Sequence, residues 1–204
     1  WSTEYCLDAM IGRYPKPFVA LQDGIVMGGG IGLSGHASHR IVTERSQVGM
    51  PETAIGFTPD VGGSWLLARA PGHAGEYMAA TAYRMNAADA IHAGLADALV
   101  KAGDIPAVIA ALCRGDDASE VARRFADTPG PSDLAARHAD IDLVFGTETI
   151  QEAVRRLEAK GGAWAEETLA KISAHSPTAL AAAHFSVRKV RGLGRLEEAI
   201  DHEY

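Results

Sequence analysis

Met27-Gly28-Gly29-Gly30-Ile31-Gly32-Leu33-Ser34-Gly35 follows directly on the apolar run Gly24-Ile25-Val26-Met27, and its reading decides the fold. Glycine at this density means that backbone comes close to another group or takes φ > 0. Gly30-Ile31-Gly32-Leu33-Ser34-Gly35 satisfies G-x-G-x-x-G, the phosphate-binding turn of a dinucleotide fold. The spacing opposes that reading. The fingerprint needs a helix of normal length before the next parallel strand and an acid at that strand's end, whereas only a short span separates Gly35 from the β-branched segment at 40–43. Ser34 does not sit in G-x-S-x-G, so a nucleophile elbow is also excluded. What remains is a strand-to-helix turn at Gly28, Gly29 and Gly30 whose N–H groups face an anion or a developing oxyanion. Close helix-on-sheet packing accounts for one or two of these glycines, and less well for three in a row.

Working outward, residues 50–64 hold Glu52 and Asp60 in an apolar stretch bounded by Pro and Gly, with no Lys or Arg between Arg45 and Arg69. Carboxylates in apolar surroundings pair, shift their pKa or do chemistry. Asp60 has a structural alternative as the cap of the helix after Val61-Gly62-Gly63-Ser64. For Glu52 the alternative is an exposed loop acid, disfavoured by Met50, Ile55 and Phe57 around it. The eight histidines form no H-E-x-x-H or comparable ligand set and read as surface or packing residues, so no metal site is assigned.

The 204 residues, 47% apolar and 22% charged, suit a globular chain with a buried core. A net charge of −7 argues against a nucleic-acid binder. Cys6 and Cys113 are far apart and form no CxxC, which excludes a disulfide scaffold and points to a reducing, cytoplasmic setting. No apolar run approaches the roughly 20 residues of a membrane span, and no membrane partner is expected.

Two textures divide the chain. Residues 16–100 are rich in Gly, Val, Ile and Met with frequent turns, and read as alternating strands and helices. Residues 18–27 look like one buried strand broken at Gln22-Asp23-Gly24, and 39–43 like a second. Helices are expected from Trp65 to about Pro71, over 75–83, and from an Asn86 cap to Gly94, with a short apolar segment at 95–100. From Asp104 onward the chain is Ala-rich and helical in period, with helices at 105–114, 118–126, 149–160, 163–174, from Ser176-Pro177 to Arg188, and from Leu193 onward. The turn cluster at 127–132 is the best linker candidate.

Residues 4–100 resemble the crotonase (enoyl-CoA hydratase/isomerase) superfamily, most closely its 3-hydroxyisobutyryl-CoA hydrolase branch. The likeness rests on Lys16-Pro17-Phe18-Val19-Ala20-Leu21, on the phrase from Asp23 through Ser34, on Arg40-Ile41-Val42-Thr43-Glu44, and on Met50-Pro51-Glu52-Thr53-Ala54-Ile55-Gly56-Phe57 with Pro59-Asp60-Val61-Gly62-Gly63-Ser64. Ala87-Ala88-Asp89-Ala90 and Gly94-Leu95-Ala96 resemble the helix after the superfamily's active site. The implied fold class is α/β, a crotonase-like (ClpP/crotonase) ββα-spiral core followed by a C-terminal α-helical region. On that basis residues 1–103 form the C-terminal part of the core carrying the active site, and 104–204 the mostly helical region. The resemblance also implies early strands, an adenine-contacting loop and a second oxyanion donor before the point matching Trp1. The sequence is therefore expected to be a fragment of a longer chain, or the ordered part of one, with the N-terminal part of the core missing.

Three positions carry the branch assignment. The hydratases of the superfamily have one catalytic glutamate where this chain has Gly32 and another where it has Glu52, and a small residue where it has Asp60. Glu4 is similar to an acid that the hydrolases place near the substrate's 3-hydroxyl. The resemblance thus implies Glu52, Asp60 and Gly29 as catalytic residues, with Glu4, Gly28, Gly29, Gly30, Glu52 and Asp60 around the substrate. The Gly29 N–H would donate to the thioester oxygen, Glu52 would attack the carbonyl or activate water, and Asp60 would position it. The implied reaction is hydrolysis of 3-hydroxyisobutyryl-CoA to 3-hydroxyisobutyrate and CoA, a valine-degradation step, with 3-hydroxypropionyl-CoA not distinguished. No cofactor is needed, since coenzyme A is part of the substrate. An enoyl-CoA isomerase or hydratase, and a non-catalytic acyl-CoA binding module, are the alternatives, and homo-oligomerisation is left open.

Overall fold

The computed structural model describes all of residues 1–204. Its sheets are small and mainly parallel. One holds β1 (Val19–Gln22), β3 (His39–Val42), β5 (Ala98–Val100) and β6 (Ala126–Asp127) in that spatial order, with β6 antiparallel to β5. The second pairs β2 (Ile25–Met27) with β4 (Gln47–Gly49) in parallel, Val26 opposite Val48. The apolar run at 18–27 is therefore two strands in two sheets rather than one interrupted strand. Gly24, at φ +85°, turns the chain between them. The Asp23 carboxylate accepts the Thr43 hydroxyl at 2.6 Å, which ties this turn to the end of β3.

Helices pack around these sheets. α1 (Ser2–Gly12) lies beside α2 (Gly29–Gly35), and α3 (Gly63–Ala68), α4 (Ala74–Thr81) and α5 (Ala87–His92) follow. α6 (Ile105–Cys113) and α7 (Ala118–Phe125) precede β6, and α8 (Asp133–Ala136) and α9 (His138–Phe145) come after it. α10 (Ile150–Lys160), α11 (Ala163–Ser173), α12 (Pro177–Val190) and α13 (Leu196–Glu203) complete the chain. Several starts are capped as their sequences suggest. Asn86, Thr149 and Ser176 each accept the N–H three residues on, and Pro177 occupies the first turn of α12.

The main core runs from Ile31, Val48 and Met50 through Leu67 and Met78 to Phe145, Leu157, Val187 and Ile200, so it draws on both textures of the chain. A smaller cluster, Ile41, Val100, Val108, Ala111 and Val121, seats α6 and α7 on the larger sheet. Neighbouring β3 residues serve different clusters, Ile41 the small one and Val42 the large one, because side chains alternate across a strand. No helix is long and apolar enough to cross a membrane.

Because β2 and β4 run parallel and adjacent, their C-terminal ends, Met27 and Gly49, deliver the next segments to the same edge. Those segments are the glycine turn into α2 and the phrase containing Glu52.

Candidate active site

Gly28 sits at φ 54°, ψ −124°, conformational space that belongs to glycine, and caps α2. The first α2 bonds run from the Ile31 and Gly32 N–H groups to the Gly28 carbonyl, so the Gly29 and Gly30 N–H groups have no backbone acceptor and lie at the open end of the helix. Side-chain oxygens approach this turn from two directions. A Cβ at Gly28 would lie 3.5 Å from Glu52 Oε1, and one at Gly29 would lie 3.1 Å from Glu4 Oε1.

Glu52 begins a 3-10 turn, Glu52–Ile55, closed by Gly56 at φ 80°. The Thr53 hydroxyl anchors that turn by donating to the Ala79 carbonyl at 2.7 Å. The Glu52 side chain is buried, at 5% exposure, and its Oε2 has no hydrogen-bond partner. Burial pushes its pKa up to about 7, with the charges of Asp60 and Glu203 acting in the same direction. A carboxylate in that range is half-deprotonated near neutral pH, which suits a proton acceptor.

Asp60 does not cap α3; the N-cap there is Gly62. The Tyr5 hydroxyl donates instead to Asp60 Oδ2 at 3.1 Å, joining α1 to the loop before α3. Burial raises the Asp60 pKa, and the Glu4 charge adds to the effect. Burial also raises the Tyr5 phenol, with Asp60 beside it. All six residues singled out from sequence, Glu4, Gly28, Gly29, Gly30, Glu52 and Asp60, thus converge at the α2 N-terminus and the flanking loops.

Three further residues were not singled out from sequence. Asp8 is fully buried, and neither of its carboxylate oxygens has a partner. Burial, followed by the charges of Glu4 and Asp60, lifts its pKa to about 7. A Cβ at Gly32 would lie 2.8 Å from Asp8 Oδ1 and 2.8 Å from Val61 Cβ, so Asp8 fills the space a side chain there would take. The signal for Asp8 was its spacing: four residues after Glu4 on one helix places both on the same face. Tyr5 and Glu203, the latter on α13, gave no local signal. No group of three or more His, Cys, Asp or Glu is disposed to hold a metal ion.

A buried glutamate and a half-buried aspartate beside an open helix N-terminus, at the C-terminal edge of a parallel strand pair, form an arrangement able to do acid–base chemistry on a substrate that develops negative charge. Residues 1–204 match the family described as enoyl-CoA hydratase/isomerase, and the chain belongs to that family, with its crotonase fold. The mitochondrial 3-hydroxyisobutyryl-CoA hydrolase of Xenopus tropicalis is 35% identical over 211 residues, covering 98% of this chain and 54% of the relative. 3-Hydroxyisobutyryl-CoA hydrolase 1 of Arabidopsis thaliana is also 35% identical, covering 96% of this chain and 55% of its own length. The chain therefore spans about half the length of these curated relatives. Among solved structures, a carnitinyl-CoA dehydratase from Mycobacterium thermoresistibile superimposes with a TM-score of 0.94 at 40% identity, over 98% of this chain and 59% of that one. An enoyl-CoA hydratase from Rhodobacter sphaeroides gives a TM-score of 0.91 at 44% identity, over 100% and 59%.

Proposed function

We propose that this chain carries the catalytic carboxylates of an acyl-CoA thioester hydrolase acting on a short 3-hydroxyacyl-CoA, with 3-hydroxyisobutyryl-CoA as the substrate and 3-hydroxyisobutyrate and CoA as products. The observation that carries the reading is the arrangement at Gly32. A hydratase-type first glutamate has no room there, because Asp8 already fills that space. This leaves Glu52 as the buried proton acceptor and Asp60 as its companion, the pattern that resembles the hydrolase branch. The relatives named as hydrolases support the substrate class.

In this mechanism the Gly29 N–H donates to the thioester carbonyl oxygen. Glu52 takes a proton from the attacking water as the C–O bond forms. Negative charge gathers on the carbonyl oxygen in the tetrahedral species, where a donor of this kind typically contributes about 3 kcal/mol. Collapse of that species breaks the C–S bond, and the CoA thiolate leaves with the proton that Glu52 holds. Glu4 and Asp60, held by Tyr5, flank the acyl group where a 3-hydroxyl would be received. No cofactor beyond the substrate's own coenzyme A enters the scheme. The two cysteines are free and exposed, in keeping with a reducing, cytoplasmic setting, although the frog hydrolase is named as mitochondrial.

Hydratase chemistry is the competing reading, favoured by the names of the two solved structures at 40% and 44% identity. Free-thiol release from 3-hydroxyisobutyryl-CoA, compared with hydration of a 2-enoyl-CoA, separates the two. Thiol release dominates if the proposal holds, and faster hydration would overturn it.

A further inference from the structure

The turn that carries Asp60 is held in a conformation its own sequence resists. Val61, β-branched and fully buried, sits at φ 54°, and Gly62 follows at φ 74°. A left-handed valine persists only where its surroundings over-determine it. Two groups outside the turn do so. His36 Nε2 lies 2.8 Å from the Val61 carbonyl, and burial lowers the His36 pKa, so the neutral ring donates there. Glu203, in the last turn of α13, accepts the Gly62 N–H at 2.7 Å and the Ser64 N–H at 2.9 Å, and it also accepts the Ser64 hydroxyl. Its carboxylate makes no ion pair, so the amides and hydroxyl at the start of α3 are what hold it.

We infer that Glu203 is a positioning residue for the site: by clamping the amides of Gly62 and Ser64 it fixes the strained Val61 turn, and with it the place of Asp60 opposite Glu52. This rests on the hydrolase reading for its kinetic consequence, but the clamp itself is independent of that reading. A carboxylate accepts all three donors, a glutamine oxygen accepts fewer but preserves the shape, and alanine accepts none. The three therefore grade the clamp.

In the full chain, Glu203→Ala is expected to lower kcat for thiol release by about 10- to 100-fold while KM changes by less than about threefold, the signature of a misplaced catalytic group. Glu203→Gln is expected to restore most of that loss. Hydrogen exchange at the Gly62 and Ser64 amides should accelerate in Glu203→Ala and much less in Glu203→Gln. The Asp60 carboxyl, followed by NMR titration, should move further in the alanine variant than in the glutamine variant, although both lack the Glu203 charge. Wild-type kcat in Glu203→Ala, or identical behaviour of the two variants, would overturn the inference. Should Glu203→Ala fail to fold, hydrogen exchange at the Gly62 and Ser64 amides of Glu203→Gln decides: a modest acceleration confined to those two amides supports the clamp, and wild-type protection of both would overturn it. Should the wild-type protein release no thiol, the hydrolase reading fails, while amide exchange and the Asp60 titration still judge the clamp.

Discussion

At the scale of single residues, the site is a balance between burial and charge. Glu52 has its pKa raised to about 7 because water is excluded from it, and no cation compensates. Replacing it by glutamine removes the proton acceptor without changing shape. Glu52→Gln is expected to cost about 10²- to 10⁴-fold in thiol-release rate. In the wild type kcat/KM should rise with pH and level off above about pH 7, since the base works only once deprotonated. A rate independent of pH between 5 and 8 would exclude Glu52 from that role. Gly32 makes the complementary point. Gly32→Ala places a methyl against Asp8 and Val61, an overpacking that typically costs about 1 to 3 kcal/mol. Denaturant unfolding should show that loss, and Asp8→Ala in the same chain should relieve part of it. A Gly32→Ala protein as stable as wild type would show that Asp8 does not fill that space.

At the scale of elements, the site is made by where strands and helices end. β2 and β4 bring the glycine turn and Glu52 to one edge, while α1, α3 and α13 close around it. Five of the six residues readable from sequence lie in contiguous phrases bounded by Gly or Pro, Gly28, Gly29 and Gly30 in one and Glu52 and Asp60 in another, while Glu4 was legible only through the family resemblance. Tyr5 was not readable, because its partner Asp60 lies 55 positions away, nor was Glu203, 141 positions from Gly62. β4 escaped notice because three residues carry too little periodicity, and α9 because its turn-rich approach hid the Ser132 cap that starts α8. Fully buried Glu76 on α4 was equally hidden, for its partner is Arg191, just beyond α12, whose guanidinium donates to both carboxylate oxygens at 2.9 and 2.6 Å. Arg191→Met leaves that carboxylate with only His73 Nδ1, 3.4 Å from Oε1, and should destabilise the protein by about 2 to 4 kcal/mol in urea unfolding. A loss below about 1 kcal/mol would mean that the pair does not tie the helices together.

At the scale of the whole molecule, the site's acids set how stability depends on pH. Asp8, Glu52 and Glu203 all have pKa values near 7 in the folded chain, and burial is the leading cause each time. Unfolded, the same groups titrate near 4. Between those values the folded state binds protons that the unfolded state has released, so stability falls as pH rises from about 4 to about 7 and is flat above. Each independent group contributes at most about 1.4 kcal/mol per pH unit, and mutual repulsion among the three makes the total less than their sum. The lowered acids, such as exposed Asp23 and half-buried Asp140, act below pH 4, outside this window, and His36 and His184, whose pKa values burial lowers, oppose the decline below about pH 6.5 as two groups against three. The thermal midpoint is therefore expected to be higher at pH 5 than at pH 8, opposite to a protein held by paired carboxylates. Asp8→Asn, which keeps the shape and removes one titrating group, should flatten that decline and raise the midpoint at pH 8. A wild-type midpoint that rises from pH 5 to 8, or an Asp8→Asn profile parallel to wild type, would refute it. The direction matters for function, because the acids that weaken the fold at neutral pH include the one whose deprotonation there the proposed chemistry requires.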